Sequence, residues 1–547
     1  MALQRLCTLS LIVVAAAGAR SAATPPGPTA DAADVASLSA KIDALLANSW
    51  NKGKVEPASP AEDSEFLRRV YLDLGGRIPS VSRARAFLDD TQPEKRRRLV
   101  EELLSGPHYV NHFTTVWRNL LVPEASTGQF ARFLESPMEA WLRERLQENA
   151  PYDAMVRELI TVPYGASMQP FAPNAKPSPI AFYFAKEIKP ENLAASTGRL
   201  FLGIKLECAQ CHNHPFAAWK REQFWSYAAF FSGLDRRDQG NFVQPLRDVP
   251  ERRELTIPGT DRVVRAAFPD GTQPAWKPKE ASRAALAAWM TRPDNPYFAR
   301  AAANRIWAHF FGTGLADPVD EIAGGQNAPR QPELLDELAR QLSAHHFDLK
   351  FLMRAITASK AYQLSSTATH KSQDDPHQFA RMAVRGLTPE QLFDTLAEAT
   401  AFREEGVGQP GTFRIEGNVR RQFLAKFANQ AEKPTEIQTS ILQALTLMNG
   451  RLVSDATSLD RSELLAAVLD APFFDTAARV ETLYLSTLSR LPRPREASRA
   501  QQFIDAALTP EDGAAPLTEA EREKRYKHAL GDVLWALLNS GEFFLNH

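Results

Sequence analysis

The chain has 547 residues, 44% of them hydrophobic, and its 64 basic side chains balance 65 acidic ones. That balance leaves no net field to hold nucleic acid or an anionic membrane, and three cysteines are too few for a disulfide scaffold. The length is enough for more than one buried core, so two to four domains are expected.

Residues 1–23 carry an apolar run from Leu6 to Ala19 that ends in Ala17-Gly18-Ala19. This is the pattern of a secretory signal peptide, with cleavage after Ala19 or Ala23. The run is shorter than the ~20 residues a membrane span needs, and no later stretch comes close to one. The mature protein is therefore expected in the periplasm or cell envelope, with no transmembrane span after cleavage. Residues 24–34 are small, polar and Pro-rich, a linker composition.

From 35 to 240 the apolar period is helical, with stripes through Leu38, Ile42, Leu45 and Leu46, then Phe66, Val70 and Leu74, then Leu99, Leu103 and Leu104. Five prolines between Val162 and Pro179 predict a long extended loop. Within residues 241–280 the period changes: Glu254-Leu255-Thr256-Ile257, the turn Pro258-Gly259-Thr260-Asp261 and Arg262-Val263-Val264-Arg265 predict a small β-hairpin. Residues 281–547 are helical again, with predicted helices that include Pro389 to Thr400, Pro434 to Met448, Leu464 to Leu469 and Tyr526 to Leu538. The expected fold is predominantly α: two helical domains joined by the hairpin insertion.

The stretch with the most chemical content is Cys208-Ala209-Gln210-Cys211-His212. Two thiols three residues apart, followed at once by an imidazole, form the pattern for covalent attachment of a c-type haem. The only other cysteine, Cys7, lies in the signal segment, so the mature chain concentrates its thiols here. Pro190 suits a first helical turn, and Leu193, Thr197, Leu200, Phe201, Ile204, Cys208 and Cys211 recur at helical spacing. If the helix persists to His212, both thiols and the axial iron ligand share one face. Seven aromatics between Phe216 and Phe231 offer an apolar sleeve for a macrocycle, or an ordinary helix core.

Two further readings of the site stand beside the haem. A divalent metal held by Cys208, Cys211, His212 and His214 would crowd four ligands into seven residues. A plain disulfide or dithiol pair, with no cofactor, suits an oxidising compartment but leaves His212 unexplained. Met168, His112 and His309 are candidates for a sixth iron ligand, and a five-coordinate iron is the alternative. Asp317, Asp320 and Glu321 form either a cation site or a solvated loop.

Several longer motifs carry a family likeness. Phe66-Leu67-Arg68-Arg69-Val70-Tyr71-Leu72-Asp73-Leu74, Gly76-Arg77-Ile78-Pro79 and the stretch from Phe201 to Phe216 resemble the planctomycete-type domain of unknown function numbered 1549. Asn304-Arg305-Ile306-Trp307, Phe311-Gly312-Thr313-Gly314-Leu315, Pro332-Glu333-Leu334-Leu335-Asp336 and the ending Leu537 to Phe543 resemble its usual companion, numbered 1553. Glu321-Ile322 stands where that pattern has Asp-Phe. The resemblance implies an exported protein, uncharacterised, with an exported phosphatase- or sulfatase-like protein as a possible partner.

Three functions follow as expectations. The first is electron transfer by a c-type haem protein with a redox partner in the envelope. The second is a haem-dependent oxidase or peroxidase acting on an organic or polysaccharide-derived substrate. The third is a non-catalytic envelope scaffold with a disulfide or metal at the cysteine motif. No nucleophile elbow, phosphate loop or dinucleotide fingerprint occurs, and the sequence leaves open whether the protein is an enzyme.

Overall fold

The computed structural model describes residues 32–123, 132–163, 176–213, 219–235, 247–249, 251–322, 328–402, 419–427, 451–458, 461–510 and 515–547. The expected signal peptide, Met168, His214, Phe216 and the predicted helix from Pro434 to Met448 lie outside these residues.

The protein is predominantly helical, as its apolar periodicity predicts, and its described strands form only three two-stranded antiparallel ladders. Two helical domains are joined by the hairpin, in which Glu254 pairs with Arg265, Leu255 with Val264 and Thr256 with Val263. Alternation sets its faces: Val264 is buried, and Val263 is exposed.

The first helix, Ala32–Gly53, buries Leu38, Ile42, Leu46 and Trp50, a four-residue stripe along one face. That stripe packs against Leu349–Ala358, a helix of the second domain. Consequently one continuous apolar core gathers Leu38 to Met382, together with Leu485, and holds side chains of both domains. A second core gathers Leu387 to Phe543 and takes in Leu72 and Ile78 from far upstream.

The link between the cores is local backbone geometry. Helix Asp63–Val70 runs into a single π-helical turn, Tyr71–Gly75. Phe66, Leu67, Val70, Tyr71 and Leu74 enter the first core, while Leu72 within the same turn enters the second. Gly76 then reverses the chain at φ 71°, and a Cβ there would lie 2.4 Å from His112 Nδ1. Only glycine combines that backbone with that approach.

In the second domain, helix Phe298–Phe311 is buried along nearly its whole length. Asn304 on it is fully enclosed and grips the backbone of Ala316, donating to its carbonyl at 2.8 Å and accepting from its N–H at 3.0 Å. That pair folds the Phe311 to Leu315 segment back over the helix end.

Candidate functional site

Helix Pro190–Thr197 does not continue to His212. It passes through a π turn, Gly198–Leu202, and stops at Gly203, whose φ is 62°. The chain re-forms one 3₁₀ turn at Glu207–Gln210 and then bends. The break resets the helical phase, so the buried stripe ends at Leu206 and Ala209, while Cys208, Cys211 and His212 are exposed. The expectation of a helix face leading into both thiols is thus corrected. Gly203 is held from behind, where its carbonyl accepts from Ile322 N at 2.8 Å.

Both sulfurs are free and open to solvent. The turn that carries them is pinned by its middle carbonyl: Gln210 O accepts from Trp225 Nε1 at 3.0 Å and from Arg221 Nε at 3.3 Å. His212 Nδ1 lies 2.8 Å from Asn213 O. A carbonyl only accepts, so this nitrogen carries a ring proton, and in the neutral imidazole Nε2 then keeps its lone pair. Asn213 Oδ1 in turn accepts the backbone N–H of Arg221 at 3.0 Å.

The aromatic segment serves mainly the protein's own core. Phe224, Trp225, Tyr227, Phe230 and Phe231 are buried; Phe230 stacks on Phe268 and Phe268 on Trp289 at ring separations of 5.1 and 4.6 Å. Tyr227 shares a 3.0 Å hydrogen bond with Thr197. Of the two readings of this segment, the ordinary helix core is the one these five rings form; of the five, Trp225 reaches the thiol turn through a hydrogen bond.

Cys208, Cys211 and His212 do not converge as a metal ion requires: among the described residues no three His, Cys, Asp or Glu side chains do so. Asp320 is taken up by Arg305 at 2.5 Å, which gives the acidic loop after Gly314 a structural partner.

The histidines weighed as sixth ligands sit in a different polar centre. His309 Nε2 donates to Asp73 O at 2.8 Å, and the His112 ring lies 5.7 Å from that of His309. Burial pushes the His112 imidazole down to about 3, with the neighbouring His309 adding to the effect. The centre is built on the buried carboxylate of Asp73, which accepts from Arg385 Nη2 at 2.7 Å, Asn546 Nδ2 at 2.7 Å and Tyr362 Oη at 2.8 Å.

Beside it, the fully buried Arg68 donates to the carbonyls of Thr487, Glu542, Phe543 and Leu545. Arg69 does the same for Tyr362, Leu364 and His547, and pairs with Glu65. Burial lowers Arg68 to about 10, so it remains charged at neutral pH. Sequence reasoning assigned Asp73 no role. The signal available was a carboxylate and two guanidinium groups inside an otherwise apolar helical run.

Fold and geometry define a predominantly α protein that presents a Cys-x-x-Cys-His turn on its surface and locks its two helical domains through a buried Arg and Asp centre. Residues 41–236 match the model of the PSCyt2 family, a protein of unknown function (DUF1549), and residues 282–504 match that of PSD1, a protein of unknown function (DUF1553). The chain belongs to this planctomycete-associated domain pair. The hairpin falls between the two matched segments. No curated protein and no solved structure matches the chain. Among the described residues no helix is long and apolar enough to cross a membrane.

Proposed function

We propose that the protein is an exported c-type haem protein that passes single electrons in the cell envelope, with Cys208 and Cys211 as the covalent attachment points and His212 as axial ligand. The observation that carries this reading is the surface turn itself: two free, accessible thiols flank a pinned carbonyl, and the next residue orients its ring through Nδ1 on Asn213 O. A tetrahedral ion needs donors aimed at one point. A porphyrin takes two thioethers at its edge and one imidazole at its centre, and two accessible thiols with an imidazole in the next position suit that demand.

Within this reading each residue has a separate task. Cys208 and Cys211 would anchor the group, each adding its S–H across a vinyl C=C of the porphyrin, sulfur to one carbon and hydrogen to the other, to leave a thioether. His212 supplies the ligand nitrogen. Leu206 and Ala209 fix the turn to the core from beneath, and Trp225 holds its middle. When bound, the group supplies one-electron exchange at iron. The partner is an envelope redox protein, or an exported phosphatase- or sulfatase-like protein, meeting the exposed thiol face.

The test is expression of the full chain in a host with haem-attachment machinery, followed by a reduced-minus-oxidised spectrum and intact mass. A c-type band that resists acid-acetone extraction, lost in Cys208→Ser/Cys211→Ser, is the expected result. A bare polypeptide mass would refute it. A mass lower by two hydrogens would instead establish a disulfide, which the same thiol exposure permits.

A further inference from the structure

We infer that Asn213 and Arg221 are positioning residues for His212, and that they preset its imidazole in the ligating tautomer before any group is attached. The inference rests on the haem reading for its purpose, but its geometry belongs to the polypeptide alone. Four contacts form one chain. His212 Nδ1–H meets Asn213 O at 2.8 Å; Asn213 Oδ1 accepts Arg221 N–H at 3.0 Å; Arg221 Nε donates to Gln210 O at 3.3 Å; Arg221 Nη2 donates to Pro258 O at 2.7 Å.

The consequence of each contact is specific. Arg221 is the first residue of helix Arg221–Ala228, so its N–H has no partner within the helix. Asn213 supplies that partner from outside, which fixes the Asn213 peptide whose carbonyl orients the ring. The guanidinium then spans from the carbonyl between the two cysteines to the hairpin turn at Pro258. Glu222, the next residue, pairs with Arg262 on the same hairpin at 2.7 Å. The hairpin thereby buttresses the thiol turn through adjacent side chains of one helix. A ligating imidazole whose second nitrogen donates to a carbonyl is held in orientation and made more basic, and loss of such partners typically weakens ligation 10- to 100-fold.

The test uses the full-length protein in two states. In haem-free protein, nitrogen-15 chemical shifts of His212 report which ring nitrogen carries the proton. Wild type is expected to show the Nδ1–H form as the majority, Asn213→Ala to lose that majority, and Asn213→Asp, which keeps an acceptor oxygen, to retain it. Arg221→Met should shift the ring toward a mixture and Arg221→Lys less so, with unchanged circular dichroism showing that the fold persists. In haem-loaded protein the midpoint potential should rise in Asn213→Ala, as expected of a less basic ligand, and stay near wild type in Asn213→Asp. An Nε2–H majority in wild type, or an Asn213→Ala ring and potential identical to wild type, would overturn the inference. Failure of haem to attach would remove the proposed function while leaving the tautomer result to stand or fall separately.

Discussion

Replacing Asp73 by alanine is the most informative perturbation of the fold. The carboxylate is 1% exposed and accepts three side-chain hydrogen bonds, from Arg385, Asn546 and Tyr362. Its removal leaves two neutral donors without partners, at about 1–3 kcal/mol each. It also separates Arg385 from its counter-charge; breaking a fully buried ion pair costs about 3–5 kcal/mol, and the 20% exposure of the Arg385 side chain places this pair below that range. These costs overlap, because Arg385 keeps its 2.6 Å bond to His309 O and the neighbourhood can relax. A net loss of about 4 kcal/mol is expected, close to a thousandfold in an opening equilibrium.

Global unfolding of so large a chain need not be two-state, so amide hydrogen exchange is the suitable assay. The ladder of Arg385–Gly386 with Leu545–Asn546 reports directly, since Asn546 hangs on Asp73 and Arg68 holds the flanking carbonyls. Protection there should fall by about three decades in Asp73→Ala. The double variant Asp73→Ala/Arg385→Met should lose less than the two single effects combined. Ladder protection within threefold of wild type would show that the carboxylate does not hold this ladder closed.

Three further outcomes follow from the same structure. Because burial holds His112 near 3 when folded against an ordinary value of 6.5, the unfolded chain binds the proton first. Stability from this group is complete above about pH 6.5 and falls by about 1.4 kcal/mol per unit as pH drops toward 3, so denaturation midpoints should decline with acid and His112→Gln should flatten that slope. Gly203→Ala places a Cβ 2.9 Å from Ile322 Cδ1 at a φ of 62°, and should cost about 1–2 kcal/mol from the left-handed backbone alone; a melting temperature equal to wild type would contradict the strain. Arg490 makes paired bonds to both Glu496 and Glu542 at 2.7 to 2.9 Å and holds both carboxyls below their usual range. Arg490→Lys cannot reproduce that fork and should cost about 1.5–3 kcal/mol, read as earlier thermal loss of the second core.

What the amino-acid order determined by itself is everything that repeats within a few residues. The stripe Leu38, Ile42, Leu46 places a helix and its buried face, and Pro389 to Thr400 forms the predicted helix end to end. The 254–265 alternation forms the predicted hairpin, and the cysteine motif is legible because its donors lie within five positions. Tertiary structure decided what depends on distant partners. Asp73 meets Arg385 across 312 positions and Asn546 across 473, and no local period encodes such a meeting. The shared core of the two domains arises in the same way, from helices 300 residues apart that each present an apolar face. The helix that spacing alone would carry to His212 is ended by Gly203, whose left-handed backbone and contact with Ile322 outweigh the apolar period. That break puts the two thiols at the surface.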